Sequence, residues 1–202
     1  TAAFVNKDAA AILKNSAEIG HYISDAHVPL HTSSNHNGQF TNQNGIHGFW
    51  ESRIPELLAD KQFDFLIGKA RYIADPLNFI WDRILESGAA ADTVLKEERK
   101  LNQLFEEDEK YGFDEKNGTL VRQYSEEYTT AYNIRLGVMT ERRMREAIFA
   151  VASFWYTAWI DAGQPDLSEL SQKTLSPEEQ ATFQELNRSW QKGEHMIGRQ
   201  EE

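Results

Sequence analysis

The runs His21-Tyr-Ile-Ser-Asp25-Ala-His27-Val-Pro-Leu-His31 and Gly45-Ile-His47-Gly-Phe-Trp50-Glu51 flank a stretch made almost wholly of Thr, Ser, Asn, Gln and Gly. His21 and Asp25 stand four apart, as do His47 and Glu51, and residues at that spacing share one face of a helix. The stretch reads as helix, polar loop, helix. Pro29 ends the first helix because it disfavours helical backbone at the residue before it. A loop as long as 31–45, with no regular structure of its own, is of the kind that is often functional.

Outward from this centre the apolar residues keep helical spacing. Phe4, Ala11, Ile12, Ile19, Tyr22 and Ile23 predict a helix from about Phe4 to Ala26. A second starts near Asn44 and carries Phe49, Trp50, Ile54, Leu57 and Leu58, with Pro55 either kinking it or beginning its final part. A third pattern runs from Phe63 to about Leu85, bent or split by Pro76. Ala89–Phe105 is helical in composition, 106–118 is acidic and turn-like, and helices return at about Leu120–Thr130 and Glu141–Ala162. Ser176 and Pro177 look like the cap and first residue of a last helix reaching Gln191. The apolar run Ala147–Ile160 lies between Glu146 and Asp161. It falls short of the roughly 20 residues that span a bilayer, so no integral membrane segment is expected and a buried helix is the better reading. Alternating strand patterns are nearly absent. The expectation is an all-α chain, one helical domain over 1–202, with a metal-ligand region at 17–55 and a helical remainder at 56–202.

The 202 residues include no cysteine, 21 basic and 32 acidic side chains, for a formal net charge of −11. A disulfide scaffold, a thiolate nucleophile and a zinc finger are excluded, so a transition metal must be held by His and carboxylate. The acidity argues against a broad grip on nucleic acid, although bound metal ions can reverse the local charge. The first residues lack the regions of a signal peptide. Five of the six histidines lie between residues 21 and 47. Imidazole and carboxylate suit zinc, and His31, His47 and Glu51 would form a three-ligand site with a position open to water. His21 and Asp25 are too few for a second site alone, but Asp25 has two oxygens and could bridge neighbouring metals. Taken singly, a His–carboxylate pair four apart is usually a helix surface pair; two such pairs and a third His beside a polar loop favour the metal. His27 and His36 have no carboxylate at helical spacing and read as supporting or loop residues.

Over about residues 17–55 the order His21, Asp25, His31, His47, Glu51 closely resembles the superfamily of zinc-dependent phospholipases C and fungal-type single-strand nucleases. The resemblance implies an all-helical phosphodiesterase with up to three zinc ions in a cleft. His21 and Asp25 would help hold paired zincs, Asp25 bridging, and His31, His47 and Glu51 would hold a separate zinc. It further implies an N-terminal Trp ligand, more His and Asp ligands and the acid–base carboxylate, all upstream. Thr1 lies only twenty residues before His21, so the chain is expected to be the C-terminal portion of a longer, exported enzyme.

The expected substrate is a phospholipid or small phosphodiester, with single-stranded nucleic acid as the alternative; the net charge tilts towards the former, and so does Glu51, where the nuclease branch commonly has Asp. Phe40 and Phe49 could contact either substrate, but core packing is the simpler reading. A third reading, from another class, is a non-catalytic helical interaction domain with at most a structural zinc. Residues 60–202 carry no further ligand cluster, and Phe149, Phe154, Trp155 and Trp159 read as core. Glu106–Glu109 reads as a solvated segment, Asn117-Gly-Thr119 and Asn187-Arg-Ser189 fit the glycosylation pattern, and His195 lies in a polar tail.

Overall fold

Asp8 starts the first long helix: its carboxylate accepts from the Ala11 amide at 3.0 Å. In the computed structural model, which describes residues 1–116, 118–170, 180, 181, 184, 185 and 188, the chain divides into two compact units, Thr1–Gln164 and Pro165–Glu202. The elements below belong to the first. The expected cap and first residue of the last helix, Ser176 and Pro177, and most of its length lie outside the described residues, as do Asn187 and His195.

The single helix expected from Phe4 is two, α1 (Ala2–Val5) and α2 (Ala9–Asp25). Lys7 takes a positive φ of 50° between them, and the Asp8 cap makes the restart there favourable. A 3₁₀ turn follows at Pro29–Thr32. The second helical run comprises α3 (Ile46–Gly48), a π-helical turn (Phe49–Arg53) and α4 (Ile54–Gln62), with Pro55 in the first turn of α4, where its missing N–H is no loss.

The pattern from Phe63 to Leu85 is a helix only in its second half. Residues 63–75 run without helix along α8 (Met139–Asp161), and α5 (Pro76–Asn102) begins at the proline, capped by Asp75. The reason is tertiary. The Arg71 amide donates to Ser153 Oγ at 3.1 Å, the Ile73 amide to Thr157 Oγ1 at 2.9 Å and the Asp64 amide to Glu141 Oε1 at 2.9 Å. Side chains of α8 thus take main-chain donors that a helix would have used internally.

The acidic connection holds α6 (Glu107–Lys110) and then a hairpin, β1 (Tyr111–Lys116) paired antiparallel with β2 (Thr119–Tyr124) from Tyr111↔Tyr124 to Lys116↔Thr119. The helix expected at Leu120 starts later, as α7 (Glu126–Leu136), where Ser125 Oγ accepts from the Tyr128 amide at 3.1 Å. The fold is mostly helical with this one hairpin among the described residues.

The core joins the 3₁₀ turn, the π turn, α4, α5 and α7 through Leu30, Phe49, Ile54, Leu58, Val94 and Tyr132. Phe49 stacks on Tyr124 at 3.8 Å between ring centroids and on Tyr132 at 4.9 Å. In α8 the expectation of a buried helix is corrected. Its helical form holds, but its fully buried positions are Thr140, Arg143, Ala150, Ser153 and Thr157. Trp155 is 41% exposed, and Phe149, Phe154 and Trp159 are half-buried rather than core. No described helix is long and apolar enough to cross a membrane.

Candidate metal centre

His31 is the third residue of the 3₁₀ turn, which Thr32 closes by donating from Oγ1 to the Pro29 carbonyl at 2.7 Å. His47 sits in α3 and Glu51 in the π turn, on one face. Their donor atoms converge. His31 Nε2 lies 2.9 Å from His47 Nε2, His47 Nε2 lies 2.9 Å from Glu51 Oε2, and His31 Nε2 lies 3.5 Å from the same oxygen. A tetrahedral zinc with bonds near 2.0–2.1 Å sets its donors about 3.3 Å apart, so the triangle would need to open by only a few tenths of an ångström on two sides to admit such an ion. A proton on His47 Nε2 accounts for the short contacts to His31 and Glu51, and a metal in its place would meet three donor atoms. Among the described residues, His31, His47 and Glu51 form a group that could hold a metal.

The other two expected ligands stand beside this group rather than in it. Asp25 Oδ1 lies 3.5 Å from His31 Nδ1, the ring nitrogen facing away from the triangle, and Asp25 Oδ2 lies 3.4 Å from His21 Nε2. One carboxylate thus spans two histidines. His21 is the more exposed of the pair. The His36 ring is 5.9 Å from that of His47, edge to face. His27 turns into the protein instead, donating from Nδ1 to the Ile23 carbonyl at 2.7 Å.

The loop between the ligands is held by its own polar side chains. Asn35 accepts from the Phe40 amide at 2.7 Å, Gln39 donates to the Ser34 carbonyl at 2.7 Å, and Asn37 Oδ1 accepts from the Gly45 amide at 3.0 Å. Gly38 has φ +76°, and a Cβ there would come within 2.3 Å of the Gln43 carbonyl oxygen. Gln43 fastens the loop to α5, donating to the Leu95 carbonyl at 2.8 Å and to buried Glu98. Glu98 also accepts from the Tyr128 hydroxyl at 2.8 Å. Burial and this bond push the Tyr128 pKa far up, so it remains a donor. Phe40, expected in the core, is 73% exposed at the loop surface, whereas Phe49 is buried as expected.

The approach to His31 is fixed by residues the sequence did not single out. Arg143, 1% exposed, donates from Nε to the His27 carbonyl at 3.0 Å and pairs with Glu86 at 3.0 Å and Glu146 at 2.9 Å. Its remaining donors reach the Arg83 carbonyl at 3.1 Å and Ser87 Oγ. Ser87 in turn donates to the Ala26 carbonyl at 2.6 Å. No local pattern separates Arg143 from its neighbours Arg142 and Arg145; only its place on the inward face of α8 does.

The electrostatics fit a cation. Burial opposes charge on Glu51, but the hydrogen bond from His47 and the nearby imidazoles of His47, His31 and His21 outweigh it and hold the carboxyl below the ordinary glutamate range. Burial lowers the pKa of His27, against the pull of the Ile23 carbonyl, and keeps that ring neutral. The side chains of His31 and Glu51 are 27% and 31% exposed, so the triangle opens to solvent. Comparison of the chain with protein-family models, curated proteins and solved structures finds no match.

Proposed function

We propose that His31, His47 and Glu51 bind zinc and that the chain forms part of a phospholipase C-like, zinc-dependent phosphodiester hydrolase. The observation that carries this reading is the triangle of 2.9, 2.9 and 3.5 Å between three donor atoms. Three protein donors and partial exposure leave a coordination position for water or substrate, whereas structural zinc sites are closed by four protein ligands; this favours the catalytic reading over a non-catalytic domain with a structural zinc. When bound, zinc supplies Lewis acidity, lowering the pKa of water towards about 7 and neutralising phosphoryl oxygens.

The chain's own residues do the positioning. Asp25 Oδ1, 3.5 Å from His31 Nδ1, favours a proton on that outward nitrogen, which would leave the Nε2 lone pair for the centre. His47 and Glu51 supply the other two donors, and Gln43 and Arg143 hold the loop and the turn that carry the ligands. Asp25 and His21 form a further donor pair at the rim, where the sequence resemblance expects paired zincs. Exposed Phe40 favours a second reading, a single-strand nuclease of the same kind, because an aromatic face on the loop can stack an unpaired base.

The test joins metal content with hydrolysis. The chain is expected to take up zinc, and the intact hydrolase of which it forms part to hydrolyse bis(p-nitrophenyl) phosphate in a chelator-sensitive manner, with p-nitrophenylphosphorylcholine preferred to single-stranded DNA. A preparation that takes up no zinc, or hydrolysis that survives excess chelator, would overturn the proposal; preference for DNA would select the nuclease.

A further inference from the structure

Between segment 63–75, α5 and α8 lies a cavity of about 250 Å³. Three of its wall residues are arginines, Arg83 from α5 and Arg142 and Arg145 from α8. Their side chains are 25%, 48% and 32% exposed, so solvent reaches all three. Ile67, Phe79 and Phe149, each half-buried, supply the apolar part of the wall. In a chain of net charge −11, the carboxylates around this cavity nevertheless fall short of the guanidiniums. Arg83 pairs with Glu86 at 3.0 Å, Arg142 with Glu146 at 2.9 Å and Arg145 with Asp64 at 3.3 Å. Glu86 and Glu146 are also the partners of Arg143. Four guanidiniums thus share three carboxylates, which leaves a surplus of positive charge beside the cavity.

The donors select the ligand. Each guanidinium carries five N–H groups and no acceptor. Arg142 commits one nitrogen to Glu146 and Arg83 one to Glu86, which leaves donors on both for a bound anion. Arg145 is the more occupied, reaching the Asp64 carboxylate and the main-chain carbonyls of Asp64 and Leu66. We infer that this cavity binds a small organic phosphate, its phosphoryl head held by Arg83, Arg142 and Arg145 and its apolar body set against Phe79 and Phe149. Arginine is the side chain suited to such oxyanions, because its planar fork gives paired, charge-assisted hydrogen bonds. Guanidiniums arriving from two helices match the three oxygens of a phosphoryl group better than the two of a carboxylate. An uncharged ligand leaves the surplus charge unanswered, and the cavity is smaller than most drug-sized sites, which limits the body to about one ring. His31, His47 and Glu51 take no part in the wall, so the site does not require the metal.

The experiment titrates the full chain with phenylphosphonate at pH 8, a stand-in for an organic phosphate that cannot be hydrolysed, beside benzoate and inorganic phosphate, all read by calorimetry. Phenylphosphonate is expected to saturate a site about tenfold more tightly than either of the others. The same affinity is expected in His47→Ala, or in Glu51→Gln if the first variant fails to fold by circular dichroism. Arg142→Gln, which changes the most exposed of the three arginines, is expected to weaken binding about tenfold; Arg145→Gln replaces it if it does not fold. Arg122→Gln, which removes a charge from the hairpin instead, is expected to leave the affinity unchanged. Absence of saturation, benzoate or inorganic phosphate bound as tightly, unchanged affinity in the folded cavity variant, an equal loss in Arg122→Gln, or loss of the site in the folded metal-ligand variant would each overturn the inference.

Discussion

Arg143 Nε donates to the main-chain carbonyl of His27 across 3.0 Å, tying α8 to the turn that leads from Asp25 to His31. The same guanidinium holds Glu86, Ser87 and the Arg83 carbonyl on α5. One buried side chain therefore aligns three segments behind the metal centre. Losing one partner of a buried ionic network costs about 3–5 kcal/mol. Arg143→Met is expected to destabilise the protein by about 3 kcal/mol or more by urea denaturation. Arg143→Lys is expected to recover less than half, since a compact ammonium cannot reproduce the planar fork. A Lys variant as stable as the parent would remove this role.

His47→Ala is expected to remove about one zinc equivalent, whereas His195→Ala leaves the metal content unchanged. Metal analysis of the two dialysed variants decides it, and equal contents would end the ligand assignment.

Asp25 sits against the outward nitrogen of His31 at 3.5 Å. Asp25→Asn is expected to weaken zinc binding at the triangle about 10–100-fold without lowering its limiting stoichiometry. Competition with a chromophoric chelator measures this. An unchanged affinity would mean that the carboxylate does not orient the ring.

The neutral ring of His27 makes stability depend on pH. Burial, with Arg143 and Arg83 acting the same way against the Ile23 carbonyl and Glu146, holds its pKa below the ordinary 6.5. As pH falls beneath 6.5 the unfolded chain takes up this proton before the folded one does. The contribution is therefore complete above 6.5 and declines from there towards the folded-state pKa. Urea denaturation at pH 7.5 and 5.5 is expected to give a smaller loss of stability in His27→Gln than in the parent. Equal losses would assign the pH dependence to other groups.

Gly38 is the loop position that no side chain fits, with φ +76° and 2.3 Å from a would-be Cβ to the Gln43 oxygen. Gly38→Ala is expected to cost about 1–3 kcal/mol and to lower zinc affinity by loosening the approach to His47. Gly45→Ala, whose Cβ would meet nothing within 4 Å, is expected to keep more of that affinity despite its own positive φ. Indistinguishable melting and zinc affinity in the Gly38→Ala variant would show that the loop adapts.

What the sequence made legible follows the reach of each signal. His47 and Glu51 announce themselves because four-residue spacing is local, and the contact survives the π turn. His31 is placed by Pro29, also a local effect. The hairpin escaped notice although Asn117-Gly118 is a strong turn signal, since the same letters open the glycosylation pattern and Asp114, Glu115 and Lys116 blur the alternation of β1. Segment 63–75 carries apolar residues at helical intervals, but Gly68, with φ +86°, and the side chains of α8 decide its path. Arg143 and Glu98 look like surface charges until the elements around them close, because burial is a property of the assembled fold.

The contact between segment 63–75 and α8 has a metric basis. Arg71 and Ile73 are two residues apart on an extended chain, a step of about 6.6 Å. Their acceptors, Ser153 and Thr157, are four apart on a helix, a step of about 6 Å. The two rulers nearly coincide, so a row of hydroxyls along a helix can stand in for the carbonyl edge of a sheet. The segment then gains these two partners without any strand beside it, and one residue inserted between Arg71 and Ile73, or between Ser153 and Thr157, would break the match.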